Sequence, residues 1–276
     1  MTQTQQSPQT DDASLKARHA AMWAMGDYPA VATEVIAPLG PVLVEAAAVD
    51  AGDRVLDVAA GSGNAAIPAA LAGAEVVASD LTPDLLETGR QAAEAAGVTL
   101  RWEVADAEAL PYADGEFDAV LSCVGVMFAP HHQRAADELV RVVRPGGRIA
   151  LLSWTPSGFI GRMFATMKPY APPPPPGAQP PPLWGDEAHV RALLGDRVTE
   201  VAAETRSLPV SLFADGASFR DFFKRTYGPT IAVYRALADD PARAEQLDAD
   251  LAALGDAALA EGAMGWDYLL LTARRG

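Results

Sequence analysis

A single cysteine, Cys123, stands among 276 residues, so no disulfide can close within the chain, and a reducing, cytoplasmic setting is the expectation. Positive charge is scarce: 21 Lys and Arg stand against 36 Asp and Glu, a formal net charge of -15. A surface of that sign repels phosphate backbones and anionic lipid, which argues against nucleic acid and for a small-molecule substrate. No run of ~18 strongly apolar residues occurs, so no membrane-spanning helix is expected. The opening "MTQTQQSPQTDD" has no basic start followed by an apolar run; it is read as a disordered tail over about residues 1–13 and not as a secretory signal. No internal repeat is visible, and no set of metal ligands is assigned.

What is present suits one large domain or a core with a modest cap. Half the residues are apolar and 21% are charged, with mean hydropathy +0.07. From Ser14, a candidate cap, to about residue 50 the spacing is helical; Leu15, Met22, Trp23 and Met25 make an apolar stripe before Tyr28-Pro29 interrupts it. "TEVIAPLGPVLVEAAAV" continues as helix. Short apolar runs then alternate with helix-length segments: "RVLDVA", "EVVAS", "LRWEV", "FDAVLSCVG" and "RIALLSW". That alternation predicts βαβ units around a buried parallel sheet, a doubly wound α/β fold, from Val55 to Trp154.

Beyond Trp154, "KPYAPPPPPGAQPPP" predicts an extended connector over the surface. "DEAHVRALLG" reads as a short helix and "VTEVAAETRSLPVSL" as a long strand. Two amphipathic helices, "SFRDFFKRTYGPTIAVYRAL" and "AEQLDADLAALGDAALAEG", precede a final strand "WDYLLLTARR". Helices between the last two strands, about residues 212–263, are expected to form a lid on the core.

The stretch "VLDVAAGSGNAAIPAA" carries the chemistry. A strand running into Gly61-Ser62-Gly63 and then a helix lets backbone approach a ligand closely. Gly61 to Ala66 also satisfies G-x-G-x-x-A, and Asp80 lies where an acid would bind an adenosine ribose, so a nicotinamide dinucleotide fits this stretch too. Three features favour S-adenosylmethionine. Asp57 sits inside the strand before the loop, where it can order loop amides or meet a methionyl ammonium. Asp106 ends the third strand, where an adenine amino group would lie. "VRVVRPGGRIALLSW" supplies a helix, a Pro-Gly-Gly turn and a returning strand. No Tyr-x-x-x-Lys pair of a nicotinamide oxidoreductase occurs.

By the segments "VLDVAAGSGN", "ASDLTPDLL", "ADAEALPYADGEFDAVLSCVGVMF" and "ELVRVVRPGGRIAL", the chain resembles the class I S-adenosylmethionine-dependent methyltransferases. Within them it is similar to the group containing the ubiquinone/menaquinone-biosynthesis C-methyltransferases and many small-molecule O- and N-methyltransferases. The resemblance implies a seven-stranded, mostly parallel sheet over residues 51–276, with N-terminal cap helices over 14–50. It also implies roles. Backbone at Ala59, Gly61, Ser62 and Gly63 would hold the methionyl part. Asp80 would accept from both ribose hydroxyls, and Leu81 would pack on adenine. Asp106 and the Ala107 amide would read the adenine edge, and backbone near Ser122 and Cys123 would face the amino acid end. Many members carry glycine where this chain has Ala59 or Ala60, which bears on loop geometry.

The acceptor is less legible. Relatives that methylate bases in nucleic acid carry Asn/Asp-Pro-Pro-aromatic after the fourth strand, where this chain has "SCVGVMF". His131 and His132 follow that strand at the expected start of a helix, whose positive end favours a neutral imidazole able to take a proton; His132 is the preferred general base. Tyr28 or Trp23, with His19 one turn before Trp23, is placed to close the site. Phe222, Phe223, Tyr227 and Tyr234 give the lid an apolar ceiling, which suits an aromatic or apolar small-molecule acceptor. The alternatives carried forward are a nicotinamide-dependent oxidoreductase and a non-catalytic S-adenosylmethionine-binding protein.

Overall fold

The computed structural model describes residues 8–260 and 262–276; residues 1–7 of the expected tail lie outside the described residues. Three helices come first: α1 (Pro8–Trp23), α2 (Tyr28–Glu34) and α3 (Leu39–Ala46). The first begins before Ser14, which is internal to it and caps nothing. The expected continuous helix after Tyr28 is two short ones. Pro29 starts α2 in its first turn, and the chain turns at residues 35–38 before α3, with Pro38 at its N-cap.

The alternating segment follows as β1 (Arg54–Val58), α4 (Ala66–Leu71), β2 (Glu75–Asp80), α5 (Pro83–Ala95), β3 (Arg101–Val104), β4 (Phe117–Cys123), α6 (His132–Val142) and β5 (Val143–Trp154). β1, β2, β4 and the second half of β5 are covered on both faces, which is why they read as apolar runs, whereas β3 lies at the exposed edge. Val55, Leu56, Val58, Val120, Leu121 and Ile149 are fully buried. The Pro-Gly-Gly expected as a turn is a bulge inside β5: pairing with β4 jumps from Phe117↔Val143 to Ala119↔Arg148. Gly146 takes φ +72 there, a conformation open to glycine.

The last part holds α7 (Phe159–Met167), α8 (Glu187–Leu194), β6 (Val198–Val210), α9 (Gly216–Thr226), α10 (Gly228–Ala236), α11 (Pro241–Ala260) and β7 (Met264–Arg275). The proline-rich connector is without helix or strand over residues 171–180 and mostly exposed. The helix expected over 218–237 is broken at Tyr227, because Pro229 cannot continue it and instead opens α10. Gly228 fits the break: a Cβ on it would stand 2.3 Å from the Met22 carbonyl oxygen, so α10 packs tightly on α1.

Among the described residues, seven strands form one sheet in the order β3-β2-β1-β4-β5-β7-β6, with β7 antiparallel to both neighbours. Winding runs outward from β1 in one direction and from β4 in the other. The reversal leaves a crevice at the carboxyl ends of β1 and β4. No single helix among the described residues is long and apolar enough to cross a membrane.

Candidate active site

At the end of β1 the chain turns through left-handed backbone: φ is +54 at Ala59, +55 at Gly61 and +90 at Gly63. Glycine takes such angles freely, whereas an alanine pays ~1–2 kcal/mol. Ala59 therefore keeps the loop geometry that glycine would give, under strain. Val124, just after β4, is also left-handed at φ +48. Both strained residues line the same cleft, the pattern of strain held at a site by its surroundings.

The loop is pinned from below. Asp57 is fully buried and its Oδ2 accepts the Ala66 amide at 2.8 Å, tying the strand to the start of α4. The Ser122 hydroxyl donates to the Val58 carbonyl at 2.6 Å and accepts the Val126 amide at 2.9 Å, which joins the ends of β1 and β4. From the N-terminal cap, the Ile36 carbonyl accepts from the Asn64 side chain at 3.0 Å. Gly40 lies so close beneath that a Cβ would sit 1.7 Å from the Asn64 carbonyl oxygen. A Cβ on Gly63 would meet the Trp102 ring at 2.7 Å.

Burial pushes the Asp57 carboxyl up from 3.8 to about 8; the Ala66 hydrogen bond opposes this and the Asp80 charge adds to it. The folded carboxyl thus keeps its proton over a range in which the unfolded one has lost it. The native state binds more protons there, and stability falls as pH rises. His19 and His132 are held below 6.5, mainly by burial; their unfolded forms still bind some proton just above that pH and oppose the slope, an effect common to both proteins that cancels against Asp57→Asn. Between pH 6.5 and 8 the natural protein should lose up to about 1.4 kcal/mol per pH unit relative to Asp57→Asn, measured from urea midpoints. Parallel profiles for the two proteins would show that the native carboxyl is ionised throughout.

Above the loop is a cleft with about 790 Å³ of atom-free space, its open mouth included. Ala59, Gly61 and Ser62 line its floor, and Asp80 with Leu81 line one side. Asp106 and Ala107 stand just past the end of β3, with Cys123 at the end of β4 and Tyr28 above. These nine of the expected binding residues meet around one space. Asp57, Gly63 and Ser122 do not line it; their place is beneath, holding the loop. Asp80 spans two turns: Oδ2 accepts the Gly61 amide at 2.9 Å and Oδ1 the Thr82 amide at 2.8 Å. Burial raises its carboxyl, against the lowering effect of those bonds. Burial also raises the Cys123 thiol, with the Asp57 charge adding to it; a protonated buried thiol is inert packing.

The expected bases lie elsewhere. His132 is fully buried, its Nδ1 2.9 Å from His189 Nε2, and its ring sits beside Trp184. It is neutral at pH 7 as expected, pushed down to about 4 by burial and by His189, but it does not line the cleft. His131 turns its Nδ1 to Glu108 Oε2 at 2.8 Å and does not line the cleft either. For His132 the reason is helical phase, since the first turn of α6 faces α8 and not the crevice; His131, the residue before that helix, is drawn to Glu108.

Sequence reading missed Lys16. It projects from α1 and binds Asp106 Oδ1 at 3.1 Å and Glu108 Oε2 at 2.8 Å, with 10% of its side chain exposed. Burial alone would raise the Glu108 carboxyl, but hydrogen bonds from Lys16 and His131 outweigh it and hold it low. Asp12, Glu108 and His131 also bring ligand atoms within 4.8 Å of one another, and Lys16 already occupies Glu108. His19, on the same helix, lines the cleft. So do Trp23 and Phe128, whose rings meet at 4.7 Å. No spacing in the sequence pairs a residue of the first helix with one 90 positions away.

A model of the methyltransferase domain matches residues 56–151. The uncharacterized protein Rv1405c of Mycobacterium tuberculosis is 52% identical over 269 residues, 98% of each chain. The demethylmenaquinone methyltransferase of Thermus thermophilus is 43% identical over 105 residues, 37% of this chain and 48% of that protein. Among solved structures, the YcgJ protein of Bacillus subtilis superposes with TM-score 0.56 at 18% identity, covering 85% of this chain and 96% of that one; this likeness is one of fold. The chain belongs to the class I S-adenosylmethionine-dependent methyltransferases. Its similarity to the demethylmenaquinone enzymes is distant and covers little more than a third of the chain.

Proposed function

We propose that this protein transfers a methyl group from S-adenosylmethionine to a small-molecule acceptor. The observation that carries the reading is the convergence, at one switch point, of a strained glycine loop with two acids from neighbouring strand ends. The residues present suit the cofactor. Gly61 is left-handed, and the nearest atom to a Cβ built on it is in the Tyr28 ring, at an ordinary contact distance of 3.4 Å, so the loop backbone lies bare beneath that ring. Asp80 spends one lone pair of each oxygen on an amide and retains the other for the two ribose hydroxyls. Asp106 engages Lys16 and the Glu108 amide through Oδ1, which leaves Oδ2 for the adenine amino group. Leu81 supplies an apolar contact for the ring, and Ala59 to Ser62 hold the methionyl end.

When bound, S-adenosylmethionine supplies an activated methyl group with its leaving group already built in. The chain's own task is to align an acceptor and keep water out. Trp23, Tyr28 and Phe128 form the apolar cover for this. Catalysis by alignment needs no buried imidazole, in keeping with the place of His132. The family assignment leaves the nicotinamide reading with no observation to carry it.

Thermal melting tests the proposal. A ligand at a hundredfold excess over Kd stabilises the native state by about 2.7 kcal/mol, roughly 5–10 °C for a chain of this size. S-adenosylhomocysteine is expected to raise Tm by that amount, and NAD and NADP to leave it unchanged. A labelled methyl group from S-adenosylmethionine should then enter a product in an extract of the source cells. Binding without any transfer would leave the non-catalytic reading in its place.

A further inference from the structure

Helix α1 turns one side to the cofactor cleft. Lys16, His19 and Trp23, at spacings of three and four residues, line that space, while most other described residues of the helix stand partly or fully in water. Lys16 makes the ionic contacts. Its ammonium lies 3.1 Å from Asp106 Oδ1 and 2.8 Å from Glu108 Oε2. The Glu108 side chain is 2% exposed, accepts the His131 amide at 2.7 Å and lies 2.8 Å from the His131 ring nitrogen. Removing the ammonium would strip a buried carboxylate of its nearest counter-charge. Arg134 reaches Glu108 only at 3.9 Å, from an exposed position, and no other cation among the described residues pairs with Asp106.

At Asp106, Oδ1 carries both the Lys16 ammonium and the Glu108 amide, the latter at 2.9 Å. Two donors on one oxygen fix the rotation of the carboxylate and leave Oδ2 as the free acceptor. A carboxylate oxygen can only accept, so the free one favours a ring that offers a donor. Without the ammonium, two carboxylates would face each other across the gap it filled, and Asp106, the more exposed of the two, would turn toward water. The Asp106 backbone would not follow, because its carbonyl accepts the Ala109 amide at 3.0 Å whatever the side chain does.

We propose that Lys16 is a positioning residue for base recognition: it holds Asp106 so that the site selects a purine bearing an exocyclic amino group, and it makes the docking of α1 part of that selection. The inference rests on the proposed methyl transfer, in which Asp106 is given to the adenine edge. It adds a helix whose seating depends on the identity of the base. By linkage, whatever α1 docking adds to recognition of the amino group, recognition of that group adds to α1 docking.

The test compares S-adenosylhomocysteine with its 6-deamino analogue, in which hydrogen replaces the amino group of the purine, by calorimetry on the full chain. The natural protein is expected to bind S-adenosylhomocysteine about tenfold more tightly or better, the worth of one hydrogen bond to a charged acceptor. Lys16→Met, which keeps the stem and removes the charge, should weaken S-adenosylhomocysteine far more than the analogue, so that the ratio falls to about threefold or less. A helix anchor with no part in recognition would weaken both ligands alike, so an unchanged ratio in the variant would overturn the proposal. Hydrogen exchange of the natural protein gives a second measurement that needs no variant. At equal saturation, S-adenosylhomocysteine should slow exchange in α1 more than the analogue does; equal protection by the two would overturn the link to the helix. Equal affinity of both ligands for the natural protein would overturn amino-group reading at Asp106 and leave methyl transfer standing. Failure of S-adenosylhomocysteine itself to bind would overturn the methyl-transfer reading and the role of Lys16 with it.

Discussion

Asp80→Ala is expected to weaken S-adenosylhomocysteine binding at least a hundredfold in calorimetry. Two charge-assisted hydrogen bonds to ribose hydroxyls are worth about 1.5–3 kcal/mol each, and every 1.4 kcal/mol is tenfold in affinity. The same carboxylate holds the Gly61 and Thr82 amides, so its loss also frees the glycine loop on one side and the start of α5 on the other. Asp80→Asn retains an acceptor for one of those amides and one hydroxyl, and should fall between the natural protein and the alanine variant. The Ala60 amide still donates to the Ser79 carbonyl at 2.9 Å in both variants, which keeps β1 and β2 aligned and the fold intact. An alanine variant that binds within threefold of the natural protein would show that the ribose is held elsewhere.

The contrast between Asp80 and His132 marks how far the sequence could be read. Residues at strand ends are placed by topology: once α4 and α5 separate β1, β2 and β3, right-handed crossovers bring the carboxyl ends of the parallel strands to one edge. Asp80, Asp106 and the glycine loop could therefore be assigned to one cleft from spacing alone. Residues on helices depend on rotational phase, and one step of about 100° turns a side chain from the cleft into the core. His132 fell on the wrong side of that step. Lys16 shows a second limit, since α1 reaches Asp106 only by folding back over the finished sheet. The break at Tyr227 shows a third: Gly228-Pro229 was visible, but its period was overridden by the apolar spacing on either side. The strand boundaries, by contrast, moved by only a residue or two, except that β5 begins five residues before the expected Arg148 by taking in the Pro-Gly-Gly bulge.

Gly125→Ala should destabilise the protein by about 3 kcal/mol or more, a fall in Tm of roughly 6–12 °C. Gly125 has φ -100 and ψ -58, an angle pair alanine adopts readily, so backbone strain contributes nothing. The cost is steric. A Cβ there would stand 2.1 Å from the Ala59 carbonyl oxygen and 2.9 Å from the Ala59 side chain. Neither partner can withdraw easily: Ala60 is hydrogen-bonded to Ser79, and the neighbouring Val124 amide donates to the Leu152 carbonyl at 2.8 Å. Gly97→Ala makes the matched control. Gly97 has φ +74 and nothing within 4 Å of a built Cβ, so alanine there meets only the left-handed penalty of ~1–2 kcal/mol. The two variants separate the two reasons for glycine, and they differ in function as well. Relief of the Gly125 clash must part the ends of β1 and β4, the floor of the cofactor cleft, so S-adenosylhomocysteine affinity should fall with stability. At Gly97, remote from the cleft, affinity should hold; a Gly125→Ala protein as stable and as tightly binding as the natural one would show that the close approach of these two strand ends is dispensable.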